Sequence, residues 1–337
     1  MRGVTMRIAL CFPVEPRHLR QIAAAAPGAE LVDAGQEKIA DEVLRADVFC
    51  GHAKVHPVPW DEVVRRGRLK WIQSSAAGLD HCLVPSVTVS NIVVTSASGV
   101  LADQVAEHAV ALITALTRSL PTFFRAQQKR EFIRRPTRDL HRATVGIVGF
   151  GGNGRRLAEV LRVFKTRILA TDVFAVDKPP YVEALWPADR LHDLLAQSDI
   201  VVLAAPLLPS TRGMIDARAL ARMKPGALLI NMARGGLVVE SALVEALRSG
   251  RLAGAGLDVT EVEPLPPESP LWEVPNVIIT PHVGGQSATR IDDMTNFFCE
   301  NLMRWQSGRP LVNLVDKILG FPVWGTGSHW TQVRAAN

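Results

Sequence analysis

Thr144-Val145-Gly146-Ile147-Val148-Gly149-Phe150-Gly151-Gly152-Asn153-Gly154 lies near the middle of a chain of 337 residues. A five-residue apolar run leads into a glycine-spaced turn and then into the helical pattern Arg155–Lys165. Such a strand–turn–helix brings backbone close to a dinucleotide pyrophosphate. Gly149 permits the tight turn, Gly151 lets the main chain approach phosphate, and Gly154 lets helix pack on strand. Gly152 and Asn153 share the turn and are expected to contact the cofactor where the helix start offers free N–H groups and a positive dipole end. The next strand ends in Asp172, close to the spacing expected of an acid that binds ribose hydroxyls and repels a 2′-phosphate. NAD is therefore the expected cofactor and NADP the less favoured one. Arg155, Arg156 and Lys178 lie near enough in sequence to leave NADP use open.

About 140 residues precede this turn, so another structural unit must form first. Downstream, the runs Arg167–Asp172, Asp199–Ala204, Ala227–Asn231, Gly254–Asp258 and Asn276–Thr280 are rich in Val, Ile, Leu and Ala. They mostly lack polar alternation, as strands covered on both faces do. Helical patterns at Leu191–Gln197, Ala217–Met223 and Ser241–Ser249 separate them, the last with Ser241 as the expected N-cap and Gly250 as its stop. This βαβ series predicts a doubly wound domain with a parallel sheet. The first hundred residues repeat the alternation more loosely. Arg7–Phe12, Asp47–Cys50, Leu69–Ser74 and Ile92–Thr95 read as strands, Gln36–Arg45 and Trp60–Arg66 as helices. Leu101–Thr117 reads as a long, largely buried helix, and Ser287–Gln306 as a helix beyond the last strand. The economical arrangement is a discontinuous first domain, 1–100 with 287–325, a nucleotide domain at 101–286, and a tail at 326–337.

With 47% hydrophobic and 21% charged residues the composition is that of a globular protein with sizeable cores. No uninterrupted apolar stretch approaches the roughly 20 residues that cross a bilayer. Ile8–Phe12, broken by Pro13, reads as a first strand rather than a signal peptide, and Met6 is an alternative start. Cys11, Cys50, Cys82 and Cys299 are dispersed, without CxxC or metal-ligand spacing. Reduced buried thiols in a cytoplasmic protein without a metal are expected. Much of the +5 net charge falls between Arg125 and Arg142. No aromatic residues alternate with it in a nucleic-acid motif, so a solvated helix face or subunit surface is the expectation.

Three polar stretches follow expected parallel strands: Asn231-Met232-Ala233-Arg234-Gly235-Gly236, Asp258–Pro264, and Pro281-His282-Val283-Gly284-Gly285. In an open α/β sheet the ligand crevice lies outside those strand ends, so an arginine, a carboxylate and a histidine converge there. The trio suits hydride chemistry on a 2-oxo or 2-hydroxy acid. Arginine binds a carboxylate through paired hydrogen bonds, histidine exchanges a proton with the alkoxide, and a glutamate beside it favours the imidazolium. Singly, each has an ordinary structural explanation; their joint placement carries the reading. Pro206, Thr211, Met232, Ala233, Gly284 and Gly285 are further expected cofactor contacts. His81 and His108 are expected to be structural, away from the nucleotide sheet edge.

Through Thr144–Gly154, Met223–Val239, Gly254–Pro267 and Asn276–Gly285 the chain resembles the D-isomer-specific 2-hydroxyacid dehydrogenase family. The resemblance implies a Rossmann NAD-binding domain inserted into a discontinuous flavodoxin-like substrate domain. It implies Arg234 as the substrate-binding arginine, His282 as proton donor, and Asp258 near the nicotinamide carboxamide. The acid paired with His282 stands immediately before a proline in the family, which selects Glu263 over Glu261. Ser74–His81 resembles the family's substrate loop, with the N–H groups at Ala77 and Gly78 on the substrate carboxylate. Gly152, Asn153 and Leu79 depart from the commoner residues, Leu79 where an aromatic often shapes the substrate pocket. A homodimer using Leu101–Arg142 and a cleft that closes over a small 2-oxo acid are implied too. An NAD-responsive corepressor-like binding module and a phosphite-type dehydrogenase are the competing readings. Glutamate rather than glutamine before Pro264 disfavours formate.

Overall fold

The computed structural model describes residues 5–174 and 177–322. The tail at 326–337, with Trp330, and Trp324 lie outside the described residues. The chain forms two compact units, Ala102–Gln286 and the described parts of Met1–Leu101 and Ser287–Asn337.

The first unit is built on five strands: β1 (Arg7–Cys11), β2 (Glu30–Asp33), β3 (Val48–Gly51), β4 (Trp71–Ser74) and β5 (Val93–Thr95). All pair in parallel, in the order β2-β1-β3-β4-β5, the doubly wound flavodoxin-like arrangement. Apolar clusters cover both faces. Phe49, Trp60 and Ile72 belong to one; Trp71, Phe297 and Phe298, the last two from the helix Arg290–Gln306, belong to the other. That late helix is fastened by buried polar groups rather than by chain continuity. Asn301 donates to the Gln73 side-chain carbonyl at 3.0 Å, and its own carbonyl accepts the Val312 N–H at 2.8 Å. Buried His18, on the helix Pro16–Ala25, meets Asp292 at 2.9 Å. This hydrogen bond holds the Asp292 carboxyl below its usual range, with Arg17 adding to the effect.

The second unit carries seven parallel strands: β6 (Thr144–Val148), β7 (Arg167–Asp172), β8 (Ala184–Pro187), β9 (Ile200–Leu203), β10 (Ala227–Asn231), β11 (Leu252–Leu257) and β12 (Val277–Ile279). Their order is β12-β11-β10-β9-β6-β7-β8, so the winding reverses between β6 and β9. That reversal opens a crevice at the carboxyl ends of the strands. The helix Ala102–Thr117 lies across β11, where Gly256 and Gly254 leave room for Leu112 and Leu116. Because Leu116 meets β11 at Gly254 and Leu112 meets it further along at Gly256, the helix runs antiparallel to the strands. Its amino-terminal half therefore points toward their carboxyl ends.

Two expectations need correction. Ser241 lies inside the helix Glu240–Arg248, whose N-cap is Val239 and has no side-chain cap. In the basic segment the helix Leu120–Gln128 ends early, so of Arg125, Lys129, Arg130, Arg134, Arg135, Arg138 and Arg142 only Arg125 is on it; all seven are exposed, but they do not form one helix face. None of the described helices is long and apolar enough to cross a membrane.

Candidate active site

The glycine turn occupies the winding reversal, and the three glycines differ in what limits them. Gly149 has φ of +94°, and a Cβ there would stand 2.6 Å from the Ala205 nitrogen just past β9. A Cβ on Gly154 would lie 2.2 Å from the Gly149 carbonyl oxygen, so close packing of helix on turn forbids it. Around Gly151 an added Cβ meets nothing within 4 Å, which leaves an open approach to the main chain. The helix Gly152–Leu161 starts there with Gly151 as an N-cap that offers no side-chain acceptor. Its first-turn N–H groups face outward without intrahelical partners, at the positive end of the helix dipole. This cradle fits a pyrophosphate. At the end of β7, Asp172 accepts the Phe150 N–H at 2.7 Å and the Phe174 N–H at 3.1 Å. Nearby cations are engaged elsewhere: Arg155 donates to the Asp177 carbonyl, Arg156 pairs with Asp103 and Glu159, and Lys178 donates to the Val182 carbonyl. After β9, the Thr211 hydroxyl donates to the Pro206 carbonyl at 2.7 Å and accepts the Leu208 N–H at 2.8 Å, closing that loop on itself.

Arg234 follows β10 on a turn organised by Asn231. The buried amide donates to the Arg234 carbonyl at 2.9 Å and accepts the Ala233 N–H at 3.1 Å. A Cβ on Gly235 would stand 1.8 Å from the Thr260 carbonyl oxygen, so the main chains after β10 and β11 meet where only glycine fits. Arg234 is thereby held beside the loop that carries Glu263.

His282 follows β12 with φ of +54°, a strained value for a residue with a side chain. Its N–H is fixed to the Asp258 carbonyl at 2.8 Å and the Thr280 carbonyl at 2.9 Å. The ring Nδ1 stands 2.8 Å from a Glu263 carboxylate oxygen. An ionised carboxylate only accepts, so Nδ1 carries a hydrogen and Nε2 is left to face a reactant. Glu261 is exposed, and its N–H donates to Glu240; Glu263 is the acid on the histidine. Asp258 is buried, and its carboxylate accepts from the Thr280 hydroxyl at 2.7 Å, Val283 N–H at 2.9 Å and Gly284 N–H at 2.8 Å. A Cβ on Gly284 would collide with Asp258 and Met232. Asp258 thus shapes the turn behind His282.

His108 was expected away from this edge, and the structure places it there. Its Nε2 lies 2.9 Å from the Thr280 hydroxyl and 3.4 Å from Asp258. Helical spacing reveals the buried face of Ala102–Thr117 but not which of its ends lies at the strand termini. Thr280 and Asn231 look like ordinary strand-end residues in the sequence, which carries no signal of their roles.

In the first unit, the loop after β4 is drawn tight by Ser74, whose hydroxyl accepts the Ala76 N–H at 3.0 Å. The N–H groups of Ala77 and Gly78 make no hydrogen bond among the described residues. Leu79, expected at a substrate pocket, is buried in the core with Trp60 and Cys82. His81 stacks on His52, ring centroids 3.8 Å apart.

Comparison with known proteins agrees with this construction. Residues 110–284 match the model of the D-isomer specific 2-hydroxyacid dehydrogenase NAD binding domain. The chain is 37% identical over 260 residues to a glyoxylate reductase from Thermofilum pendens, covering 74% of this chain and 75% of that one. It is 35% identical over 233 residues to a D-3-phosphoglycerate dehydrogenase from Mycobacterium tuberculosis, covering 67% of this chain but only 43% of that longer protein. Among solved structures, an NADPH-dependent glyoxylate/hydroxypyruvate reductase from Sinorhizobium meliloti, in complex with NADP and sulfate, superposes with a TM-score of 0.80. That match has 28% identity and covers 94% of this chain and all of that one. Fold and site define an α/β oxidoreductase of the kind that acts on CH–OH groups. The chain belongs to the D-isomer-specific 2-hydroxyacid dehydrogenase family.

Proposed function

We propose that the protein interconverts a small 2-oxo acid and a D-2-hydroxy acid, with Arg234, Glu263 and His282 as its catalytic residues. The observation that carries the reading is the 2.8 Å Glu263–His282 contact at the carboxyl edge of the nucleotide sheet. Gly149, Gly151 and Gly154, with the start of the helix Gly152–Leu161, would hold a nicotinamide cofactor, which would supply or take the hydride at the substrate C2. Arg234 holds the substrate carboxylate and polarises the carbonyl. His282 delivers a proton from Nε2 to the oxygen that gains charge, or removes it in reverse, while Glu263 holds the ring and stabilises its protonated form. In the first unit, the available Ala77 and Gly78 N–H groups suit a carboxylate oxygen.

NAD is the proposed cofactor, because the Asp172 carboxylate is held against the glycine turn, where it would meet a ribose, and the nearby cations have partners of their own. NADP is the second reading, favoured by its presence in the Sinorhizobium relative. A cytoplasmic homodimer completes the proposal; four buried free thiols suit a reducing compartment.

The test is loss of reduced-nicotinamide absorbance over a panel of 2-oxo acids with both cofactors. Turnover with higher kcat/KM for NADH is expected. No turnover on any member with either cofactor would remove the enzymatic reading and leave the NAD-responsive binding module, which a pull-down with and without NADH would then examine. A preference for NADPH would overturn the role given to Asp172.

A further inference from the structure

Behind His282 lies a second polar chain that the proposed reaction does not use. The Thr280 hydroxyl has one hydrogen, and it is directed at Asp258, 2.7 Å away. Its contact with His108 Nε2 at 2.9 Å must therefore run the other way, with the imidazole donating and the hydroxyl accepting. That assigns the hydrogen of His108 to Nε2. Asp258 in turn accepts the N–H groups of Val283 and Gly284, and its own carbonyl accepts the N–H of His282. Three successive residues of the turn hang from one buried acid, and that acid is oriented through Thr280 by His108. The turn needs such support, because His282 sits at a φ of +54° and relaxes unless its surroundings over-determine it.

We propose that His108 is a positioning residue: its Nε2–H, passed through Thr280 to Asp258, locks the 282–284 turn and aims His282. It touches none of the proposed catalytic side chains and acts only through the carboxylate that anchors them. The inference rests on the reading of His282 as the proton donor. The chemistry selects the donor itself, not merely a side chain of that size. A one-way hydrogen-bond chain ending on an ionised acid needs an N–H at its head, and networks of this kind are stronger than isolated pairs.

The test compares His108→Phe, His108→Gln and Thr280→Val with wild type. His108→Phe fills the space without a donor and should lower kcat about tenfold or more, with the KM for the 2-oxo acid changed less than threefold. His108→Gln restores an N–H at a similar reach and should recover most of that loss. Combining His108→Phe with Thr280→Val should cost no more than the larger single loss, since both cut one chain. A His108→Phe enzyme with wild-type kcat, a Gln variant as poor as Phe, or fully additive losses would each overturn the proposal.

A readout independent of turnover separates it from the functional reading. Nitrogen-15 imidazole spectra should report His108 as the Nε2–H tautomer, hydrogen-bonded in wild type and shifted in Thr280→Val. Backbone amide signals of residues 282–284 should move in His108→Phe but not in His108→Gln. Wild type without oxo-acid turnover but with these spectra would sink the proposed reaction and keep the network. Turnover with an Nδ1–H tautomer at His108 would do the reverse.

Discussion

Glu263 and His282 each have an ordinary place in a loop, and only the 2.8 Å between them turns two half-exposed side chains into a proton-handling pair. General acid–base groups contribute about 10²–10⁴-fold to rate, so His282→Ala should lower kcat by that order with little change in NADH affinity. Glu263→Gln keeps the size but loses the charge and should lower kcat by less. Equal NADH affinity with wild-type kcat in either variant would remove it from the reaction. Glu240 shows how the neighbouring loop carries an electrostatic cost. Burial raises its pKa first and the Glu261 charge adds to this, while the bond from the Glu261 N–H opposes both. A carboxyl with a raised folded pKa favours folding most at low pH, and that contribution is lost as pH rises through the folded value. Glu240→Gln can still accept the Glu261 N–H without ionising. Its Tm should match wild type near pH 4 and exceed it near pH 7.5. A gain that is the same at both pH values would show that charge is not the cause.

The glycine turn separates folding from binding within six residues. Gly154→Ala places a Cβ against the Gly149 carbonyl, a contact that forces helix and turn apart, and overpacking of this kind costs about 1–3 kcal/mol. Gly151→Ala meets open space, so its Tm should stay near wild type while NADH affinity falls. Calorimetry with a cofactor titration checks both, and a Gly151→Ala protein that binds NADH normally would move the pyrophosphate away from this turn. The same elements explain what the sequence could disclose. β6, β7 and β10 announce themselves because both faces are covered, leaving uninterrupted apolar runs. β2 and β8 lack that signal: as sheet edges they are only partly buried and carry Glu30, Asp33 and Pro187. Gly254 and Gly256 blur β11 because the helix Ala102–Thr117 needs their missing side chains. Arg234 and His282 could be picked out as candidates because each follows an expected strand, whereas the choice of Glu263 over Glu261 came only from the family resemblance, through the proline that follows it. His108 could not be picked out, because its importance depends on which way a helix crosses the sheet.

Across the whole molecule, polar chemistry and thiols are segregated. The residues assigned to proton exchange lie in the unit Ala102–Gln286, whereas Cys11, Cys50, Cys82 and Cys299 all belong to the other. All four thiols are buried. Burial raises the Cys11 pKa to about 11 and that of Cys299 to about 12, and it pushes Cys50 and Cys82 up as well. A thiol reacts as the thiolate, so in the folded protein both access and ionisation oppose modification. The four are also spread over β1, β3, the segment after β4 and the helix Arg290–Gln306, which no single loop movement uncovers together. Alkylation at pH 8 should therefore leave all four unmodified in native buffer. On adding denaturant they should become reactive over one transition, following opening of that unit and silent about the other. Mass spectrometry of timed iodoacetamide samples reads this directly. Stoichiometric labelling of one cysteine within minutes in native buffer would show that its strand or helix opens independently of the core around it.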